Sequence, residues 1–180
     1  MPHIRAIVLA AGLSRRMNGP NKLLLPHGDS TVIESVIRAL AACTLDIVVV
    51  TGRDADVIAA LVAPVATVFN PDFARGMGTS LATGIRSGQA DGYLVVLGDM
   101  PNLSPGVVNA ILAHHHQDRI VVPVYTEVPD RYGHPVLFGS RFAEELCALD
   151  GDEGARAIIQ SHYGRVLAVE VPGRLDDRDE

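Results

Sequence analysis

Apolar residues in this chain fall into two kinds of run. Short, almost unbroken stretches of Val, Ile and Leu recur as IRAIVLA (4–10), DIVVV (46–50), ATVF (66–69), GYLVVLGD (92–99) and RIVVPV (119–124). Polar residues do not alternate within them, which is how strands covered on both faces read, as in a parallel sheet. Between them, apolar residues return at helical spacing. Thr31 and Glu34 have capping-box spacing ahead of VIESVIRALAAC, DVIAALV begins at Asp54 or Ala55, and Ser80 leads LATGIRSG. Ser104-Pro105 places a cap residue before a first-turn proline and opens GVVNAILAHHH.

Strand alternating with helix predicts a doubly wound α/β sheet. The last third reads differently. HPVLF (134–138) predicts a strand, FAEELCAL (142–149) and EGARAIIQSHY (153–163) helices, and RVLAVEV (165–171) a final strand. Connections there are short, so one strand is expected to run antiparallel. With no internal repeat and no low-complexity linker, residues 1–180 are expected to form one domain.

Composition narrows the function. Hydrophobic residues make up 48% of the 180, enough for a sizeable core. Aromatic residues are only 4%, Trp is absent and the formal net charge is -6, which argues against stacking platforms or a basic footprint for nucleic acid. A local basic pocket for one phosphorylated small molecule remains compatible with that charge. Cys43 and Cys147 lack metal-type spacing and read as buried free thiols of a reducing compartment. The N-terminus lacks an ordinary signal-peptide core, and no apolar run approaches the roughly 18 residues of a membrane span. A soluble cytoplasmic protein with no membrane partner is expected. The tail RLDDRDE is charged and reads as disordered at its end.

Candidate chemistry starts where the first strand stops. IVLAAGLSRRMNGPNKLLLP (7–26) leaves an apolar run through Ala10, Ala11 and Gly12, then brings Arg15, Arg16 and Lys22. Ligands of open α/β sheets bind beyond the carboxyl ends of the strands. Small residues there let backbone N–H groups approach an anion, and the cations can neutralise a polyphosphate. Neither a Walker A motif nor G-x-G-x-x-G is present. Asp99, in GYLVVLGDMPNLSP (92–105), ends another apolar strand and suits magnesium, which shares one or two carboxylates with substrate phosphates. In NPDFARGMGTSLATGIRSG (70–88), Gly76 and Gly78 permit tight turns, Thr79 or Ser80 can cap the helix, and its N-terminus can present N–H groups to a ligand. His114, His115 and His116 project about 100° apart on a helix, so they cannot all face one metal and read as a solvated helix end.

These motifs resemble those of a known family. LAAGLSRRMNGPNKLLLP is similar to the LAAGxSxRMG…K…LLP opening of the nucleotidyltransferases that include the molybdenum cofactor cytidylyl- and guanylyltransferases, with Asn18 standing where glycine is common. The stretches GMGTSL, GHPVLF and LDGDEGAR resemble segments of the molybdenum cofactor cytidylyltransferase branch (MocA/MobA-like), and the resemblance spans essentially the whole chain. It implies a three-layer α/β/α, Rossmann-like, mostly parallel sheet with an antiparallel strand, of the nucleotide-diphospho-sugar transferase kind. It implies that Leu9, Ala10, Ala11, Gly12, Ser14, Arg15, Arg16, Lys22, Gly76, Gly78, Ser80 and Gly98 bind nucleotide, and that Arg16, Lys22 and Asp99 are catalytic. Asp99 would hold Mg2+. The family's closing GxLxDIDTPED segment, laid on GRLDDRDE, makes Asp179 the second metal ligand, with Asp177 the alternative.

The same resemblance implies the partners. Leu-Ala-Ala-Gly rather than Leu-Ala-Gly-Gly implies CTP, the methyl of Ala11 narrowing the floor against a purine. Molybdopterin or the molybdenum cofactor would be the acceptor, with a molybdoenzyme or its chaperone as protein partner. GTP, or a sugar or polyol phosphate acceptor, is the alternative within the class, and a non-catalytic nucleotide or pterin carrier the alternative outside it. His134 reads as an acceptor contact or a strand-edge residue, and Asp152 with Arg156 as an acceptor clamp or a helix-surface ion pair. Arg131-Tyr132 replaces the proline usual before Gly133-His134, which alters the acceptor contacts.

Overall fold

The computed structural model describes residues 1–12 and 20–173. Its strands are β1 (Ile4–Ala10), β2 (Pro26–His27), β3 (Ser30–Thr31), β4 (Asp46–Thr51), β5 (Ala66–Phe69), β6 (Gly92–Leu97), β7 (Ile120–Tyr125), β8 (Val128–Tyr132), β9 (Val136–Gly139) and β10 (Val166–Val171). Its α-helices are α1 (Val32–Ala41), α2 (Ala55–Val62), α3 (Met77–Arg86), α4 (Pro105–Leu112), α5 (Ala143–Cys147) and α6 (Arg156–Ser161). The main sheet runs β10-β7-β9-β6-β1-β4-β5, with β8 paired to β7. Pairings β1/β4, β4/β5, β1/β6 and β7/β10 are parallel. The expected antiparallel strand is β9, which lies between β6 and β7 and opposes both. The β2–β3 hairpin, turning at Gly28 with φ +58°, and the edge ribbon β8 have no signal in the apolar pattern.

The continuous apolar runs follow from the layering. Along β1, Ala6, Val8 and Ala10 face one core with Ile33, Val36 and Leu40 of α1, Ile58 of α2 and Ile111 of α4. Ile7 faces the second core with Leu81 and Ile85 of α3, Leu146 of α5 and Ile158 of α6. Each strand residue has somewhere dry to go, so the period-two alternation vanishes. The exception is β5. ATVF reads as a strand covered on both faces, but it is the sheet edge and Phe69 is 54% exposed.

Capping explains two helix starts. Thr31 accepts from the Glu34 backbone N–H while the Glu34 carboxylate accepts from the Thr31 N–H at 2.8 Å, so the capping box forms as its spacing predicts. Ser104 caps α4 ahead of Pro105. Helix α4 ends at Leu112, earlier than the pattern predicts. His115 then reaches the Asp91 carbonyl at 2.9 Å and the His116 ring accepts from the Asp118 N–H. The histidines therefore diverge, and no cluster of three or more metal-type ligands occurs among the described residues. Cys43 and Cys147 are free but only half-buried, less enclosed than predicted. Among the described residues, no helix is long and apolar enough to cross a membrane.

Candidate functional site

The register of the central strands assembles the site. Leu9 of β1 lies opposite Leu97 of β6 in a parallel pair. The segments leaving these strands therefore emerge side by side: Ala11-Gly12 after β1 and Gly98-Asp99 after β6. Sheet order reverses direction of progress at β1, the kind of crevice where α/β proteins bind ligands. Gly98 serves this approach. Its N–H donates to the Leu9 carbonyl at 3.0 Å, and a Cβ there would meet that same oxygen at 2.8 Å. Its amide is thus used within the sheet.

Lys22 is positioned by its neighbours. Buried Asn21 accepts from the Leu23 N–H at 3.1 Å, fixing the short 3-10 turn Lys22–Leu24, and its amide donates to Asp54 at 3.1 Å. Leu23 anchors the turn in the core. From it, the Lys22 Nζ reaches Asp99 Oδ2 at 2.7 Å, with both side chains about three-quarters shielded from solvent. They share a cleft of about 340 Å³ with Leu9, Ala11 and Gly12. Phe73, Gly76, Met77, Ser80 and Asp152 also line it. Such a volume fits a small-molecule ligand. Ala10, by contrast, is fully enclosed in the core, so the strand's last side chain builds the floor beneath the cleft and does not line it.

Glycines that read as room for a nucleotide are in part room for the protein itself. A Cβ on Gly78 would stand 2.5 Å from the Glu153 carbonyl oxygen, and the Gly78 N–H donates to the Gly151 carbonyl at 2.9 Å. Gly76 has φ +138°, and a Cβ there would stand 2.3 Å from the Gly151 carbonyl oxygen. Arg75 pairs with Asp150 at 2.5 Å across the same contact. The 150–153 turn is thereby clamped on the start of α3. Gly78 is buried under it and away from the cleft, while Gly76 reaches the lining. Ser80 does not lead α3 as predicted. The helix starts at Met77, with Gly76 as a cap lacking any side-chain bond, and Ser80 is buried one turn in, accepting from Asn70 at 3.0 Å. Asn70 also bonds Thr79 at 2.9 Å, tying the end of β5 to α3.

A second hollow, of about 510 Å³, adjoins the cleft, sharing Leu9 and Met77 with it. His134 and Arg156, read from the sequence as acceptor contacts or as structural residues, both line it. Asp152 does not, because its turn faces the first cleft. The floor is Leu81, Val95, Val136 and Phe138, and Arg131, Tyr132 and Tyr163 add to the wall. Burial, and then the neighbouring Tyr163 hydroxyl, hold the Tyr132 phenol above its ordinary pKa. Tyr163 carries no local motif in sequence and joins the hollow together with Arg156, Ile159 and Gln160 of α6. Ser14, Arg15, Arg16, Asp177 and Asp179 lie outside the described residues.

The donors fit a hard divalent ion. The first cleft holds the carboxylates of Asp99 and Asp152 and neither His nor Cys. Magnesium and manganese accept such oxygen donors and take their remaining ligands from phosphates and water.

Comparison with known proteins agrees with the geometry. Residues 6–166 match the MobA-like NTP transferase domain. The molybdenum cofactor cytidylyltransferase of Escherichia coli (strain K12) is 32% identical over 141 residues, covering 76% of this chain and 70% of its own. The nicotine blue oxidoreductase of Paenarthrobacter nicotinovorans is 29% identical over 169 residues, covering 89% and 83%. Among solved structures, the manganese complex of Rv0371c from Mycobacterium tuberculosis H37Rv superposes with a TM-score of 0.80 at 27% identity, over 96% of this chain and 90% of that one. A cation and a carboxylate meeting beyond two parallel strands, in a fold and over a span shared with these proteins, make this chain a nucleotidyltransferase belonging to the MobA-like NTP transferase family.

Proposed function

We propose that this protein transfers the cytidylyl group of CTP to the terminal phosphate of a molybdopterin-type acceptor, releasing pyrophosphate. The observation that carries the reading is the Lys22–Asp99 pair at 2.7 Å, set in a cleft that opens into a second hollow. Two adjoining sites suit a two-substrate transfer. The nucleotide occupies the cleft, with its phosphates toward Gly12 and Lys22 and its base toward Gly76 and Ser80. The acceptor occupies the hollow, beside His134 and Arg156.

An acceptor phosphate oxygen then attacks the α-phosphorus in line. A new P–O bond forms as the bond to the β-phosphate breaks, and pyrophosphate leaves with the electron pair. The acceptor phosphate is already anionic near neutral pH, so no dedicated general base is required. Lys22 neutralises charge on the phosphates, and Arg16 is assigned the β- and γ-phosphates with the loop N–H groups. Asp99, with Asp179 as its proposed companion, would hold magnesium, which when bound supplies electrostatic stabilisation at the α-phosphate. Ala11, 3% exposed on the cleft wall, takes up room that a purine would need and so favours a pyrimidine. Two free cysteines fit a reducing, cytoplasmic setting.

Incubation with CTP, magnesium and molybdopterin tests the reading. Stoichiometric pyrophosphate is expected, together with tighter equilibrium binding of CTP than of GTP or ATP. Acceptor-dependent pyrophosphate from GTP alone would overturn the base assignment. Binding without any pyrophosphate would favour the cofactor-carrier alternative.

A further inference from the structure

Beyond His134 and Arg156, the second hollow carries features that the transfer reading does not use. Its floor is core side chain, with Leu81, Val95, Val136 and Phe138 at most 3% exposed. Such a surface offers no hydrogen bonds to the hydroxyl groups of a sugar or polyol, which would be stranded there. Its wall is of another kind. The chain has only four tyrosines, and two of them, Tyr132 and Tyr163, line this hollow with 42% and 71% of their surface exposed. Two guanidinium side chains, Arg131 and Arg156, stand in the same wall. An apolar floor, aromatic faces and delocalised cations together match a flat, conjugated, anionic ligand.

Resting on the two-site reading above, we propose that Tyr132 and Tyr163 are the specificity-determining residues of the acceptor site. They select a planar heterocyclic ring bearing an anionic group over a sugar or polyol phosphate. The tyrosines come from opposite ends of the last third of the chain. Tyr132 ends β8, in the ribbon that returns on β7, and Tyr163 begins the short turn after α6. Placement in one wall lets the two rings contact a flat ligand while the arginines take its charge. Leu9 and Met77, shared with the nucleotide cleft, set the depth at which the ligand meets the nucleotide.

Equilibrium titration with pterin-6-carboxylate, a planar anionic probe, tests this against erythritol 4-phosphate, an anionic polyol. Because the chain has no Trp, tyrosine emission reports the binding directly. The probe should quench it, and erythritol 4-phosphate should fail to displace the probe at equal concentration. Tyr163→Leu and Tyr132→Leu should each weaken the probe about tenfold, Tyr163→Phe should restore most of the affinity, and CTP affinity should stay at the wild-type value in all three. Wild-type affinity for the probe in both leucine variants, no probe binding to the wild type, or equal competition by erythritol 4-phosphate would overturn the assignment. Failure of the wild type to bind CTP with magnesium would instead sink the transfer reading, whatever the tyrosines do.

Discussion

The ammonium of Lys22 lies 2.7 Å from the carboxylate of Asp99, joining the first crossover of the fold to the tip of β6. The pair is partly shielded, so the two charges interact more strongly than exposed ones would. It also links two roles: the cation proposed to receive phosphates is the present partner of the carboxylate proposed to receive the metal.

Asp99→Asn keeps the shape of the site and removes the charge. Turnover measured as pyrophosphate release should fall by on the order of 10²-fold or more, the scale of losing one preorganised electrostatic group. CTP binding measured by calorimetry in chelator should be retained, since Asp99 is assigned the metal and not the nucleotide itself. Near-normal turnover of this variant in magnesium would remove Asp99 from the mechanism.

The clamp of the 150–153 turn on α3 gives a second test. In Gly78→Ala the new methyl would stand 2.5 Å from one backbone oxygen and 2.9 Å from another, so backbone must move. A stability loss of about 1–3 kcal/mol is expected from such overpacking, read by urea denaturation. CTP affinity should fall with it, because Asp152 rides on the displaced turn and lines the cleft.

The α1 capping box predicts a pH effect. Hydrogen bonds from the Thr31 hydroxyl and backbone hold the Glu34 carboxyl below its ordinary pKa. The contribution is therefore complete above the unfolded glutamate's pKa and is lost as pH falls through the lowered folded value. Thr31→Ala should cost about 1 kcal/mol near neutral pH. The difference between wild type and variant should shrink in acid, as followed by denaturation midpoints across that range.

Phe142 is fully buried and packs edge-on against Phe138 and His162. Phe142→Ala should destabilise by about 3–5 kcal/mol through lost transfer energy and the cavity left behind. The urea midpoint should drop with the denaturant slope unchanged. A loss under about 1 kcal/mol would mean that the second core is far less tightly packed than it looks.

Much of this architecture is legible without coordinates, for identifiable reasons. Strands β1, β4, β6 and β7 bury both faces, so their apolar runs are long and unbroken. Thr31-Glu34 and Ser104-Pro105 mark helix starts because capping is a contact among near neighbours. The start of α3 escaped the same logic. Gly76 supplies no side chain to announce it, while Ser80, which resembles a cap, serves Asn70 inside the fold. Ser14, Arg15, Arg16 and Asp179, outside the described residues, rest on their motifs alone.

By itself, then, the sequence determined the long buried strands and most of the helices between them, and that small residues and cations follow β1 while a carboxylate follows β6. Those are properties of periodicity and near-neighbour chemistry. Only the tertiary structure decided that β9 inserts between β6 and β7, that Gly78 serves the 150–153 turn, that Asp152 lines the same cleft as Lys22 and Asp99, and that Tyr132 and Tyr163 line one hollow. An apolar run is equally content beside either neighbour and in either direction. Pairing partner and strand order are set by how the whole set of faces packs, and that information is not written in any one segment.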